Sequence, residues 1–379
     1  MKIGFDAKRL LKNTRGLGNY SRNLIFGLSQ YYPEHDYLLY GNNSHKEIYH
    51  EWVKNLKSTK IIKPYCKSKL GELIWRSSLI LKDIEAENPD IYHGLSHEIP
   101  FGKKSGKTKY VVTIHDLLFL RYPNHYKWLD AKIYLQKVKY ACQNSHLILA
   151  VSQQTKDDLI NFLHIPEEKI VVNYQSCNNS YYSTQGDEVK NDIRTRYQLP
   201  ECYYLFVGAL VKQKNIGRII ESLHLLPKEI QYPLILVGKG EYKAELLQII
   251  KKFRLSDKVK FIDYIPDSDM PVIYQLASIL VWPSLFEGFG IPIIEALFSK
   301  LPVITGNTGC FPEVGGPMSS YVNSHSVDEI ALAIIKIMND KKHYSMMQLK
   351  GFEYVQKFHI KNTTKELMSI YTNLSKSEI

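Results

Sequence analysis

Short apolar runs alternate with helix-like segments along almost the whole chain, and this alternation limits the fold more than any other feature. Each run ends at a glycine or a polar residue, where a helical pattern begins. Strands that alternate with helices form parallel sheets, because each helix carries the chain back across the sheet. The predicted strands are Lys2–Asp6, Tyr37–Tyr40, Asp90–Gly94, Tyr110–Asp116, Leu147–Val151, Ile170–Tyr174, Tyr203–Gly208, Leu234–Gly238, Val259–Tyr264, Ile279–Trp282 and Pro302–Thr305.

A polar, turn-rich stretch divides these strands into two series. The 379 residues suffice for two domains that each bury a core. We therefore predict an α/β protein with two Rossmann-like, doubly wound domains that face each other across a cleft. The predicted domains are residues 1–178 and 201–356, joined by a linker over residues 179–200.

The composition is that of a soluble globular protein, with 44% hydrophobic and 23% charged residues. No apolar run reaches the ~20 residues that a membrane-spanning helix needs, and the first residues lack the apolar stretch of a signal peptide. The five cysteines are scattered without a CxxC pair, which argues against a disulfide framework or a zinc site. These features predict a cytoplasmic protein.

Positive charge is concentrated in the first half of the chain. Residues 1–180 carry 26 Lys and Arg against 17 Asp and Glu, which suits an anionic lipid or a phosphate-bearing acceptor. Residues 46–69 include seven lysines and overlap an amphipathic helix predicted over residues 45–57. That helix either lies on a membrane surface or packs on its own sheet with a solvated face. No nucleic-acid-binding module is recognisable, so we predict no nucleic-acid partner.

The stretch from Ser278 to Thr305 (SILVWPSLFEGFGIPIIEALFSKLPVIT) predicts a strand, a glycine-rich loop and a helix. Pro292 suits the first helical turn, and the N–H groups there form a natural anion site. Two carboxylates, Glu287 and Glu295, flank this helix start. Carboxylates repel phosphate but accept hydrogen bonds from hydroxyl groups. A diphosphate flanked by two polyols, as in a nucleotide sugar, fits this pattern.

A second glycine loop, Gly16-Leu17-Gly18, follows the first strand and precedes a helix. This geometry also suits phosphate, but the third glycine and the acidic residue of a dinucleotide site are missing. The loop is therefore either part of a ligand site or an ordinary turn at the start of a helix.

The two glutamates around Gly-Phe-Gly resemble the signature of the retaining GT-B glycosyltransferases of family 4. Further resemblances extend over nearly the whole chain, including the segment Thr113-Ile114-His115-Asp116-Leu117, which is similar to the active-site histidine strand of that family. The resemblance implies hexosyl transfer from a nucleotide-diphosphate sugar with retention of configuration. It also implies a last helix, within residues 357–379, that crosses back to the first domain.

The resemblance assigns catalytic roles to His115 and Glu287. Glu295 is expected to bind the ribose hydroxyls, and Glu287 those of the transferred sugar. The donor-binding residues that it implies are Gly16, Gly18, Gly208, Lys214, Gly238, Ile265, Phe289, Gly290, Ile291 and Glu295.

One position departs from the family pattern. Ala209 stands where an arginine is frequent, which removes one expected diphosphate contact. We predict that Lys212 supplies this charge, so that its replacement by Ala weakens nucleotide binding by more than ~1 kcal/mol. Unchanged affinity would contradict this prediction.

The triplet Asp267-Ser268-Asp269 offers two interpretations. A DxD pair can hold Mg²⁺ or Mn²⁺ on a diphosphate, whereas Asp before a helix also serves as an N-cap. We favour capping and predict a transferase that needs neither metal nor cofactor.

These features together predict a glycosyltransferase of bacterial surface polysaccharide synthesis. Its expected partners are a GDP- or UDP-linked donor, a saccharide or lipid-linked acceptor, and an anionic membrane contacted by the basic first domain. Two alternatives remain open at this point: a sugar-nucleotide epimerase of the same fold, and a weakly catalytic subunit that binds nucleotide sugars.

Overall fold

The computed structural model describes residues 1–13, 16–42, 52–65, 68–104 and 106–376. The chain forms two compact units. Unit 1 comprises Met1–Asn178 and Phe358–Ile379, and unit 2 comprises Asn179–Lys357.

The described residues contain thirteen strands, numbered β1 to β13 in chain order. Those of unit 1 are Lys2–Asp6, Asp36–Tyr40, Thr59–Ile62, Ile91–Gly94, Lys109–Ile114, Leu147–Ala150 and Ile170–Val172. Those of unit 2 are Tyr204–Val207, Leu234–Val237, Val259–Ile262, Ile279–Trp282, Val303–Gly306 and Ser320–Val322.

The same residues contain sixteen α-helices, numbered α1 to α16. They are Lys8–Lys12, Gly16–Tyr31, Lys69–Ile74, Ile80–Glu87, Leu118–Arg121, Trp128–Asn144, Gln153–Leu163, Asp187–Arg196, Ile216–His224, Lys243–Lys252, Met270–Leu276, Ile291–Phe298, Phe311–Gly315, Val327–Asn339, Lys341–Val355 and Ile360–Lys376. A π-helical turn, Trp75–Leu79, joins α3 to α4. None of the described helices is long and apolar enough to cross a bilayer.

Each unit contains one parallel sheet. The order in unit 1 is β3-β2-β1-β4-β5-β6-β7, and the order in unit 2 is β10-β9-β8-β11-β12-β13. The connections reverse direction between β1 and β4 in the first sheet, and between β8 and β11 in the second. In doubly wound sheets, ligands bind beyond the carboxyl ends of the strands at this reversal. The prediction of two Rossmann-like domains is confirmed.

The central strands are apolar because helices cover both faces of each sheet. Every residue of β5 (KYVVTI) and of β11 (ILVW) is buried, as expected for strands without a solvent-facing side. Apolar burial of this extent is the main source of stability for both units.

The last helix, α16, packs on α2 inside unit 1. A Cβ atom on Gly27 of α2 would lie 2.2 Å from Thr364 Oγ1, so only glycine permits this close approach. Farther along α16, the Tyr371 hydroxyl lies 2.6 Å from Nδ1 of His93, which is buried at β4. The chain therefore ends in unit 1 rather than in the unit that precedes it in sequence.

Three local predictions need correction. Residues 179–200 do not form an extended linker, because they belong to unit 2 and contain α8. The strand predicted over Tyr110–Asp116 ends at Ile114, so His115 lies just beyond it. The sequence also missed two edge strands, β3 and β13. The amphipathic helix predicted over residues 45–57 lies largely outside the described residues.

Candidate functional site

The loops after β8 and β11 meet at the reversal point of the second sheet. The Trp282 indole N–H donates to the Val207 carbonyl at 2.9 Å, and this bond joins the ends of the two strands. The Leu285 N–H donates to the Gln213 carbonyl at 2.9 Å. The predicted donor loops after Gly208 and around Glu287 are thus neighbours within unit 2.

Two predicted donor-binding glycines are in backbone contact. Gly208 and Gly238 have φ values of +150° and +142°, and a Cβ atom on Gly238 would lie 2.0 Å from the Gly208 carbonyl oxygen. The next turn is equally close, since a Cβ atom on Gly240 would lie 2.1 Å from the Leu210 carbonyl oxygen. The loops after β8 and β9 can therefore meet only without side chains at these positions.

The start of α12 presents peptide N–H groups. Gly290 is the N-cap residue, with φ +115°, and it provides no side chain to cap the helix. Pro292 lies in the first turn, as predicted, where its missing N–H has no cost. The Cys310 thiol lies 3.0 Å from the Phe289 carbonyl oxygen and 3.4 Å from that of Glu287, so it anchors the carbonyl side of this loop. The helix start can bind an anion in the manner expected from its dipole.

Lys214 and Glu287 form an ion pair beside this helix start. Lys214 Nζ lies 2.5 Å from Glu287 Oε1, and the two side chains are 14% and 15% exposed. The same ammonium lies 4.5 Å from the centroid of the Trp282 ring, a cation–π contact. The structure thus brings together a predicted phosphate-binding lysine and a predicted sugar-binding carboxylate.

Glu295 lies one turn into α12 and is half-buried. It accepts a hydrogen bond from the Tyr274 hydroxyl at 2.7 Å. Burial, with a smaller contribution from Asp267, raises the pKa of the Glu295 carboxyl to about 7, although the tyrosine bond opposes this shift. Glu295 is therefore partly protonated near neutral pH when no ligand is bound.

The remaining predicted residues of unit 2 lie around this site in different settings. Lys212 is exposed and pairs with Glu245 at 2.9 Å, whereas Lys214 alone of the two contacts Glu287. Ile265 is buried after β10, and Ile291 is the first residue of α12. The charge that we predicted for Lys212 stays a prediction.

Asp269 does not cap α11 in the manner that we predicted. It occupies the N-cap position, but its side chain makes no capping hydrogen bond. Its carboxylate instead accepts bonds from Arg196 at 2.9 Å and from the Tyr197 hydroxyl at 2.7 Å. Within the described residues, no group of three or more His, Cys, Asp or Glu side chains is arranged to hold a metal ion.

His115, the predicted catalytic residue of unit 1, is 5% exposed. Its Nε2–H donates to the Leu95 carbonyl at 2.9 Å, and its Nδ1 lies 3.3 Å from the amide nitrogen of Gln175. Burial, together with nearby His97, lowers the pKa of His115 to about 3. The imidazole is therefore neutral at physiological pH, and both ring nitrogens have protein partners.

The glycine loop of unit 1 has a local structural reason. Gly16 begins α2, and a Cβ atom there would meet no atom within 4 Å. A Cβ atom on Gly18 would lie 1.8 Å from the Asn13 carbonyl oxygen. That carbonyl also accepts a bond from Arg22 at 2.8 Å. Gly18 is thus required by a close turn, whether or not a ligand binds there.

Three residues of the unit 2 site were not predicted from the sequence: Trp282, Tyr274 and Cys310. Trp282 was assigned only to a strand, Tyr274 only to a helix, and Cys310 only to the scattered thiols. An aromatic residue at the carboxyl end of a strand in front of the glycine loop was the available signal for Trp282. No comparable signal marks Tyr274 or Cys310, because their contacts with the glutamate region depend on the fold.

Comparison with known proteins assigns each unit to a family. The family described as Glycosyltransferase Family 4 matches residues 14–177, and that described as Glycosyl transferases group 1 matches residues 190–353. The chain is 25% identical to the O-antigen chain mannosyltransferase B of Escherichia coli, over 98% of this chain and 99% of that protein. It is 32% identical to the O-antigen chain mannosyltransferase RfbU of Salmonella typhimurium strain LT2, over 56% of each chain.

Solved structures share the fold. The crystal structure of Anabaena Alr3699/HepE in complex with UDP and glucose matches with a TM-score of 0.75 and 18% identity, covering 98% of this chain and 100% of that one. At this identity the match concerns architecture alone. The two family matches follow each other along the chain, one in each unit, and the fold agrees with them. The chain belongs to the group 1, family 4 glycosyltransferases and has the GT-B fold.

Proposed function

We propose that the chain transfers a mannosyl or related hexosyl group from a nucleotide-diphosphate sugar to a saccharide or lipid-linked acceptor. The relatives named as O-antigen mannosyltransferases support mannose, and with it a GDP-linked donor ahead of a UDP-linked one. They also support a role in bacterial surface polysaccharide synthesis. The observation that carries the proposal is the Lys214–Glu287 pair beside the glycine-lined start of α12.

The proposed donor extends along this start with its charge in the middle. Peptide N–H groups of Phe289, Gly290 and Ile291 would face the diphosphate, together with the Lys214 ammonium. Glu287 would accept hydrogen bonds from the sugar hydroxyls, and Glu295 would accept them from the ribose. The loops after Gly208 and Gly238 would then lie along the nucleotide. On donor binding, Lys214 exchanges part of its contact with Glu287 for the β-phosphate.

The reaction breaks the bond between the anomeric carbon and the β-phosphate oxygen. Negative charge develops on that phosphate, and fixed dipoles with a nearby ammonium stabilise it without reorganisation. We propose same-face attack by the acceptor hydroxyl, whose proton passes to the leaving phosphate, so that configuration is retained. NMR of the product would show the donor's anomeric configuration, and an inverted product would contradict this mechanism. No cofactor or metal takes part in the proposed reaction.

His115 acts in this proposal as a neutral group that positions the donor sugar. The pKa of about 3 excludes an imidazolium at neutral pH. Contact with the sugar requires one of its two partners to give way, and the Gln175 amide, at 3.3 Å, is the more distant of them.

The acceptor and the charge distribution also suggest where the enzyme works. We propose a cytoplasmic enzyme that associates with the inner face of the cell membrane. The basic residues of the first 180 positions support this location, because anionic lipids attract such surfaces.

The donor preference predicts the outcome of a thermal-shift panel. At about 100 times its dissociation constant, a ligand that binds only the folded state adds about 2.7 kcal/mol of stability. We expect GDP and GDP-mannose to raise the melting temperature more than UDP, TDP or their sugars, and to do so in EDTA. A larger shift with the uridine compounds would reverse the donor assignment. Binding or transfer that EDTA abolishes and Mn²⁺ restores would contradict metal independence.

The raised pKa of Glu295 predicts that donor affinity increases with pH. If the ribose hydroxyls donate to an ionised carboxylate, binding below the folded pKa of about 7 must release a proton, and above it need not. We therefore expect affinity to rise up to about pH 7 and then to level off, as measured by titration calorimetry. Replacing Glu295 by Gln should weaken binding and remove the pH dependence.

Protein stability should respond in the opposite direction. The folded pKa exceeds the ordinary value of 4.5, so Glu295 makes folding less favourable as pH rises from about 4.5 to about 7. The Glu295→Gln variant should lose this contribution, whereas Glu353→Gln on exposed α15 should keep it. Tyr274→Phe removes a bond that lowers the pKa, so its affinity profile should move to higher pH. An unmoved profile would contradict the assignment to Glu295.

A further inference from the structure

We propose that the outward face of α6 docks unit 1 on an anionic lipid bilayer. This inference rests on the proposed function only in that a lipid-linked acceptor lies at such a surface. It differs from the membrane patch considered from the sequence, because it concerns residues 127–139 rather than 46–69.

The outward face of α6 is apolar where a solvated helix would be polar. Trp128, Leu129 and Ile133 are 70%, 66% and 53% exposed, within the first two turns of the helix. The opposite side of the helix packs on unit 1 through Val138, Ala141 and Cys142. A cluster of exposed large apolar side chains on one helix marks an interaction surface rather than ordinary solvent exposure.

Lysines surround this apolar cluster. Lys127, Lys132 and Lys139 are exposed, and the Lys132 ammonium lies 5.0 Å from the centroid of the Trp128 ring. Helical spacing places Lys132 and Lys139 on the same side as Trp128 and Leu129. Asp130 is the one carboxylate within α6, and it lies on another side of the helix. Long lysine side chains can extend to lipid phosphates while their stems cover apolar surface.

A second exposed apolar segment lies next to α6. The π-helical turn and the end of α3 expose Leu73, Ile74 and Leu79. Glu98 binds Lys137 of α6 at 3.1 Å and Arg76 of the π-helical turn at 2.9 Å, so the two segments are neighbours. The apolar surface of unit 1 therefore extends beyond a single helix.

This chemistry fits a bilayer better than a second protein. Lysine is depleted in protein–protein interfaces. Tryptophan and basic residues beside an apolar face are instead typical of helices that lie in the membrane interface. The excess of Lys and Arg over Asp and Glu in residues 1–180 adds attraction to anionic lipid.

Vesicle sedimentation with the full chain tests the proposal. One set of vesicles contains only phosphatidylcholine, and in the other about one third of the lipid is phosphatidylglycerol. We expect binding to the anionic vesicles to exceed binding to the neutral ones by about tenfold or more, and to fall in about 1 M salt. Replacing Trp128, Leu129 and Ile133 by Ser should reduce anionic-vesicle binding at least about tenfold.

The matched control replaces Leu247, Leu332 and Leu349 by Ser. These leucines are 51%, 62% and 54% exposed, but they lie on three helices of unit 2. Equal vesicle binding by wild type and control supports the proposal. Equal binding by the α6 variant would overturn it. So would a wild type that ignores vesicles but forms a dimer that the α6 variant dissociates, because the face would then bind a second copy.

Tryptophan fluorescence gives a second readout. All four tryptophans lie in the described residues, and Trp128 is the one whose side chain is exposed there. Its emission should move to shorter wavelength when anionic vesicles are added, and the Trp128→Phe variant should lose this change. Donor binding measured without vesicles should be the same in the α6 variant and wild type. Loss of donor binding in every form would contradict the proposed function without bearing on the docking surface.

Discussion

Replacing Glu287 by Gln should lower kcat/KM for transfer by about 10²–10³-fold, the usual effect of removing one preorganised group from a transition-state site. The variant loses the proposed acceptor of the sugar hydroxyls and also the ion-pair partner that holds Lys214 in position. Lys214→Met should have an effect of similar size. Because the two groups act as a unit, the double variant should be little worse than either single variant. Steady-state kinetics of all three variants measures this coupling.

A surface ion pair provides the control for this cycle. Lys350 and Glu353 are joined at 2.8 Å on α15, with side chains 47% and 52% exposed. Lys350→Met, Glu353→Gln and their double variant should leave kcat/KM near the wild-type value, since exposed pairs contribute only about 0–1 kcal/mol. If Glu287→Gln behaves like these variants, Glu287 is not part of the donor site. Fully additive losses at Lys214 and Glu287 would show instead that the two groups act independently.

Replacing Gly238 by Ala should destabilise unit 2 by about 3 kcal/mol or more. Two costs combine: the new Cβ atom would lie 2.0 Å from the Gly208 carbonyl oxygen, and φ of +142° is unfavourable for any other residue. The obstructing atom belongs to the backbone, so no side-chain rotation relieves the contact. Calorimetric unfolding should show a lower melting temperature, and donor affinity should fall with it because both loops belong to the proposed site.

Two other glycines separate these costs. Gly309 has φ +65° with nothing within 4 Å of an added Cβ atom, so Gly309→Ala should cost about 1 kcal/mol from backbone strain alone. Gly186 has φ −70° and open space, so Gly186→Ala should be neutral or should stabilise by about 0.4–1 kcal/mol. If Gly238→Ala is no worse than Gly309→Ala, the loops after β8 and β9 do not require this contact.

The candidate site in unit 2 was largely predictable because its parts are local in sequence. Glu287, Gly290, Pro292 and Glu295 lie within nine positions, and a strand, a glycine turn and a helix place them without long-range information. Gly208 and Gly238 were predicted as loop residues. Their mutual contact was not predicted, because it depends on the pairing of β8 with β9.

Charge partners were the least predictable part. The sequence offered Lys212 and Lys214 as equal candidates two positions apart, and the chain turns so that one meets Glu245 and the other meets Glu287. Asp269 has the position of a cap, but it binds Arg196, which lies 73 positions away in sequence. Sequence spacing does not determine such pairs, since they form between elements that meet only after the sheets assemble.

The amino-acid sequence by itself determined the two parallel sheets and the helix start between the two glutamates. These follow from residue-by-residue periodicity and from the backbone freedom of glycine. The tertiary structure alone decided that residues 179–200 join unit 2, that the buried His115 ring is neutral, and that Trp128 faces outward. Each of these depends on which surfaces become buried against one another, and burial is a property of the assembled fold.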